Sequence, residues 1–185
     1  MCERCGAPTA WPVRRCAECA GRRLAFARAR AAVAYEDPVP RIVGAWKERG
    51  LRRLAAWAAE VIVEALPRPE SACLAFVAGD PDRRLKRGHA AERLAAELAE
   101  RWSLPCHPLL RRTGGSVRQR GLGRAERRRN VAGTFLARTG APSQVTLVDD
   151  VYTTGATVGA AASALRKGGA RRVEIVTFAR TIRVR

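Results

Sequence analysis

Apolar positions along this chain fall into short runs separated by polar turns, and the spacing within each run predicts its form. Residues 29–35 read as a short strand closed by Glu36-Asp37-Pro38. Residues 39–47 and 51–66 read as helices parted at Gly50. In the second, Leu51, Leu54, Ala55, Ala58, Val61, Ile62 and Ala65 recur near i, i+3, i+4 spacing, and Pro67 and Pro69 close it. Strands and helices then alternate. Residues 72–78 form an almost wholly apolar run, as a buried parallel strand requires. A polar loop, 79–88, precedes a helix over 89–102 with Leu94, Ala95, Leu98 and Trp102 on one face. Strands are expected at 106–110, 133–138, 144–148 and 173–179. A helix is expected over 156–167, stopped by Gly168-Gly169. Such alternation predicts an α/β fold with a mainly parallel sheet covered on both faces.

The first 25 residues break this pattern. They have little periodic apolar signal and need a staple to hold a fold. Cys2, Cys5, Cys16 and Cys19 supply one, as two Cys-x-x-Cys pairs separated by ten residues. Each pair can place two thiolates on one ion, and the intervening loop lets the second pair complete a tetrahedron. Soft sulfur ligands point to zinc, and four protein ligands leave no open position, so the expected site is structural. Iron in the same ligand set, a redox pair or two disulfides are the alternatives. Residues 1–25 are therefore expected to form a zinc module, and residues 26–185 the α/β domain. Cys73 and Cys106 stand alone, as inert buried cysteines do.

Composition adds charge to this picture. The chain has 185 residues, 47% of them apolar, and a net charge of +18, so a packed core and a basic surface are both expected. Arginine carries the excess; the lysines are Lys47, Lys86 and Lys167. Such a surface favours nucleic acid, anionic lipid or phosphorylated small molecules. No run is long and apolar enough for a membrane span, and the start lacks a secretory apolar core. A cytoplasmic protein without membrane insertion is the expectation.

The sharpest candidate chemistry lies at 148–157, Val-Asp-Asp-Val-Tyr-Thr-Thr-Gly-Ala-Thr. An apolar strand ends in two acids, and the chain then turns through Thr153, Thr154 and Gly155 into a helix. The amides of Gly155, Ala156 and Thr157, with the hydroxyls of Thr153, Thr154 and Thr157, can cradle a phosphate at the helix N-terminus. Asp149 and Asp150 can accept hydrogen bonds from a vicinal diol and support a hard cation such as Mg²⁺. The order of residues is not that of a Walker A loop.

This loop resembles that of type I phosphoribosyltransferases, and the chain more specifically resembles the ComF family of competence-associated proteins. The resemblance spans nearly the whole chain. It includes the cysteine pairs, residues 45–50 (Ala-Trp-Lys-Glu-Arg-Gly), Leu109-Leu110-Arg111-Arg112, Gln119, Leu122, Arg124-Ala125-Glu126-Arg127, Asn130-Val131, Phe135 and the strand ending Ala179-Arg180. It implies a type I phosphoribosyltransferase fold behind an N-terminal four-cysteine module. It further implies that Asp149 and Asp150 bind the ribose hydroxyls of 5-phosphoribosyl 1-diphosphate with Mg²⁺, and that Thr153, Thr154, Gly155, Ala156 and Thr157 bind its 5-phosphate. Arg83, Arg84, Lys86 and Arg87, in the loop where related transferases hold pyrophosphate, would meet the diphosphate. Lys47, which matches a lysine of the family, would lie near the ligand. The chain departs from the family at Phe76-Val77-Ala78-Gly79-Asp80-Pro81 and Arg87-Gly88-His89-Ala90-Ala91, which leaves open whether catalysis survives.

The segment 111–129 holds eight arginines and one acid, Glu126. Arg118, Arg120, Arg124, Arg127, Arg128 and Arg129 could close over a ligand, contact single-stranded DNA, or face solvent. The segment has no aromatic residue for base stacking, so any DNA contact there is expected to be electrostatic. Three functions are expected. The first is a transferase-fold protein that binds the sugar diphosphate and acts in DNA uptake or processing. The second is an active phosphoribosyltransferase with an unidentified acceptor. The third is a catalytically inactive DNA-binding or adaptor module, partnered by DNA-uptake or helicase-type proteins.

Overall fold

The computed structural model describes residues 1–49, 51, 53–79, 89–113, 134–138 and 140–182. The basic positions Arg83, Arg84, Lys86, Arg87, Arg118, Arg120, Arg124, Arg127, Arg128 and Arg129 lie outside them.

Strand β1 (Arg28–Ala34) leads into α1 (Val39–Arg49) and α2 (Arg53–Ala65). Then come β2 (Cys73–Phe76), α3 (Ala90–Trp102) and β3 (Cys106–His107). A hairpin of β4 (Leu110–Arg112) and β5 (Phe135–Ala137) precedes β6 (Gln144–Tyr152), α4 (Ala156–Lys167) and β7 (Arg172–Arg180). The central sheet has the order β1-β7-β6-β2-β3, and every pairing in it is parallel. β4 and β5 pair antiparallel in a separate sheet.

The sheet divides two apolar layers. On one face α1, α2 and α3 pack through Trp46, Ile62, Leu94 and Leu98 onto Leu74, Val148, Val176 and Phe178. Trp57 of α2 meets Phe178 edge-on at 5.4 Å. On the other face α4 packs through Val158, Ala161 and Leu165 onto Val145, Leu147, Val173 and Ile175. Cys2, Cys5 and Cys19 belong to this same layer, so the cysteine segment shares the core of the sheet.

Most boundaries follow the apolar periodicity, and α4 spans the expected residues. Two strands differ. The expected strand 106–110 divides into β3 and β4, because Pro108 lies between them and has no N–H to give to a ladder. The strand expected to close at Val148 runs on to Tyr152, since its partner β7 keeps pairing past the two acids, as far as Tyr152 with Arg180.

β6 sits centrally. Its connection through α4 leads to β7 on one side, whereas β2 leads through α3 to β3 on the other. The direction in which successive strands are added thus reverses between β2 and β6, although the two run parallel. A crevice opens at the carboxyl ends of such strands, where α/β sheets receive ligands.

Candidate sugar-phosphate site and four-cysteine cluster

Asp149 and Asp150 stand near the carboxyl end of β6. Asp150 is 7% exposed and pairs with Lys47 of α1 at 2.8 Å. The Asp150 amide donates to Asp149 Oδ1 at 3.0 Å, which fixes the first carboxylate against the backbone of the second. Burial and the neighbouring Asp150 carboxylate push Asp149 up to about 8, against the pull of Lys47. Burial alone would lower the Lys47 ammonium, but the two acids outweigh it and hold its pKa above the ordinary value. Two carboxylates therefore face one ammonium among the described residues. With both acids ionised, as a bound cation would favour, the pair exceeds the ammonium by one negative charge and fits a hard divalent cation; with Asp149 protonated it fits a hydrogen-bonding diol. Lys47 lies at the acid pair, on the helix layer opposite α4.

The turn beyond the acids is built for close approach. Gly155 is the N-cap of α4 with φ of 71°, in the left-handed region. Gly155 has no side chain to cap the helix, and Thr154 Oγ1 accepts from the Ala156 amide at 3.3 Å instead. Thr153 is exposed, and Thr154 and Thr157 are half-buried. Beneath Gly155 lies the Tyr152 ring, so that a Cβ at 155 would stand 2.6 Å from Tyr152 Cζ. Gly155→Ala is expected to cost roughly 2 kcal/mol and to lower the melting temperature by about 4–8 °C. Thermal unfolding checks this, and an unchanged melting temperature would show that Tyr152 does not hold the turn.

Gly79 lies directly beneath the His89 ring. His89 Nδ1 accepts from the Glu92 amide at 3.3 Å and caps α3, a structural task for one of the two histidines.

The four N-terminal cysteines converge. Their sulfurs all lie within 4.8 Å of one another, with Cys5 to Cys16 at 3.6 Å and Cys2 to Cys19 at 4.0 Å. A tetrahedral ion with metal–sulfur bonds of about 2.3 Å needs sulfurs about 3.8 Å apart, which this cluster meets. The Cys16 amide donates to Cys2 Sγ at 3.3 Å. Burial raises the Cys2 thiol, but backbone hydrogen bonds at Cys5, Cys16 and Arg4 outweigh it and bring it down to about 7. Burial pushes Cys19 up, further raised by its neighbours Cys5, Cys2 and Cys16, a repulsion that a bound cation relieves. The cluster could therefore hold a metal ion. Gly6, with φ of 70°, turns the first knuckle against β1, where a Cβ would stand 2.6 Å from the Ala29 carbonyl oxygen. Cys73 is buried and its thiol is raised by burial; Cys106 is half-buried and pushed up to about 11, first by burial, so neither is poised to react.

Sequence spacing gave no role to Tyr152, Arg180, Arg22 or Glu18, which join the cysteine segment to the turn at 153–155. Arg180 is 4% exposed and its guanidinium lies 4.8 Å from the Tyr152 ring centroid. It donates to the Cys5 carbonyl and, at 3.3 Å, to Glu18. Arg22 donates to the Thr154 carbonyl at 3.4 Å. These contacts cross long stretches of chain, and no local signal announces them.

No protein-family model matches the chain, and no curated protein matches it in sequence. Its structure is similar to an allosteric regulatory enzyme of purine biosynthesis at 18% identity and a TM-score of 0.45, covering 66% of this chain and 25% of that one. It is similar to the orotate phosphoribosyltransferase of Aeropyrum pernix at 22% identity and a TM-score of 0.41, covering 69% and 60%. It is also similar to the adenine phosphoribosyltransferase of Thermoanaerobacter pseudethanolicus at 16% identity and a TM-score of 0.42, covering 69% and 80%. The chain thus spans about a quarter of the first protein and three fifths of the second. What it has in its own right is a parallel α/β sheet with an acid pair and a threonine–glycine turn at its switch point, beside a four-cysteine cluster able to hold a metal.

Proposed function

We propose that this chain binds 5-phosphoribosyl 1-diphosphate with Mg²⁺ at the end of β6, and that a structural zinc ion fills the cysteine cluster. One observation carries the reading: Asp149 and Asp150 stand side by side near the end of β6, followed directly by the threonine turn and the left-handed glycine that opens α4. Asp149 and Asp150 would take the ribose hydroxyls and the cation. Thr153, Thr154, Gly155, Ala156 and Thr157 would take the 5-phosphate. Lys47, already on Asp150, would hold that carboxylate in place and offer a positive charge to the ligand.

If the protein is a transferase, pyrophosphate leaves C1 of the ribose while positive charge builds on the sugar. Acceleration would then come from positioning the sugar and neutralising the leaving group. The resemblance to the ComF family supports a role in DNA uptake or processing. Calorimetric titration of the zinc-loaded protein with 5-phosphoribosyl 1-diphosphate and Mg²⁺ tests the reading. Saturable, Mg²⁺-dependent heat is expected, and a folded protein that gives none rejects it.

A second activity is supported by the net charge of +18. Single-stranded DNA would bind electrostatically through the arginine-rich segment. Arg127→Ala with Arg128→Ala and Arg129→Ala is expected to make the slope of log affinity against log salt shallower by about 2. Filter binding across a salt series measures this; an unchanged slope would place the DNA contact elsewhere.

A further inference from the structure

The cysteine segment and the phosphate turn meet around Arg180, at the end of β7. Its guanidinium is one of the few buried charges in the described residues. Taking such a charge out of water is costly unless its surroundings answer it. Here the Cys5 carbonyl and the Glu18 carboxylate do so from the cysteine segment, and the face of Tyr152 does so from the turn. Tyr152 in turn fills the space beneath Gly155, and Phe26 meets its ring edge-on at 6.4 Å. Arg22 adds a second tie by donating to both the Glu18 and Thr154 carbonyls, at 3.2 and 3.4 Å. The floor of the phosphate turn is thus held by residues of the cysteine segment and by an arginine that bridges the two.

We propose that Arg180 is a positioning residue for the sugar-phosphate site, coupling the metal-held cysteine segment to the phosphate turn through Tyr152. This rests on the reading of that site given above. Lysine at 180 keeps the charge but lacks the fork that reaches Cys5 and Glu18 together. Glu18→Gln removes the negative charge that answers Arg180, leaving at most a neutral hydrogen bond, and alters neither the turn nor a thiol. Both changes should loosen the turn while the metal stays bound. Because coupling between sites is reciprocal, ligand bound at the turn should also slow loss of the metal to a chelator.

The test compares zinc-loaded wild type, Arg180→Lys and Glu18→Gln by amide hydrogen exchange and by titration with ribose 5-phosphate. Exchange at 153–157 is expected to rise about 5- to 10-fold in both variants, with zinc content unchanged and exchange at 94–98 in α3 unchanged. Ribose 5-phosphate affinity is expected to fall by a similar factor. Turn exchange equal to wild type in both variants, with binding intact, overturns the positioning role. So does a rise matched at 94–98, which would report general loosening. Wild-type protein that binds no ribose 5-phosphate overturns the ligand reading first, and the exchange data then show separately whether the coupling exists.

Discussion

Asp149→Asn together with Asp150→Asn is expected to weaken binding of 5-phosphoribosyl 1-diphosphate by about 10²- to 10⁴-fold. Hydrogen bonds to a charged partner contribute roughly 1.5–3 kcal/mol each, and the double change removes two such acceptors. It also removes the charge that would attract Mg²⁺. Isothermal titration of folded variant and wild type measures the difference; equal affinities would remove the acid pair from the site. Folding should survive, because asparagine keeps the shape and lifts the repulsion between the half-buried Asp149 and buried Asp150 carboxylates. Its pH dependence has a defined sign. Asp149 is pushed up to about 8, mainly by burial, above its unfolded value. Between roughly pH 4 and pH 8 the native state therefore holds a proton that the unfolded chain has released, so this group's contribution falls as pH rises. Asp149→Asn should flatten that decline in denaturant unfolding performed without Mg²⁺. A decline as steep as that of wild type would assign it to other groups.

Removal of metal from the cysteine cluster is expected to have the larger effect on stability. Elemental analysis should find about one zinc per chain. Stripping it, or making Cys5→Ser with Cys19→Ser, should cost about 5 kcal/mol or more and lower the melting temperature by about 10–20 °C. The reason is packing as well as ligation. Cys2, Cys5 and Cys19 are buried in the same apolar layer as β6, β7 and α4. The segment also hydrogen-bonds β1, where the Ala29 amide donates to the Arg4 carbonyl at 2.8 Å and Arg30 donates to the Glu3 carbonyl at 2.9 Å. Without an ion, the four sulfurs within 4.8 Å of one another lose the bonds that tie the two knuckles together, and the knuckles have no apolar core of their own to hold them. Metal-free protein that melts like the metal-loaded form would show the ion to be dispensable.

The helices were legible because their burial follows a single stripe. Leu94, Ala95, Leu98 and Trp102 recur at helical spacing, and all four are buried. α4 was legible at both ends, with glycines marking start and stop. The cysteine cluster was legible because two knuckles at close spacing can satisfy one ion with little help from the rest of the chain. Strand limits were harder. Asp149 and Asp150 end the apolar run, yet the backbone goes on pairing with β7 to Tyr152, since strand pairing depends on the neighbour and not on the side chain.

The sequence by itself determined the alternating α/β order, the four thiols, and the acid pair followed by a threonine–glycine turn, because each is fixed by residues close together in the chain. Only the tertiary structure decided which groups surround them. Lys47 reaches Asp150 from a helix near the start of the domain, and Arg180 meets Glu18 across 162 residues. Such contacts depend on strand order and on helix placement. One arginine among many carries no local mark that it will be the one buried, until the sheet folds and the cysteine segment closes over its end.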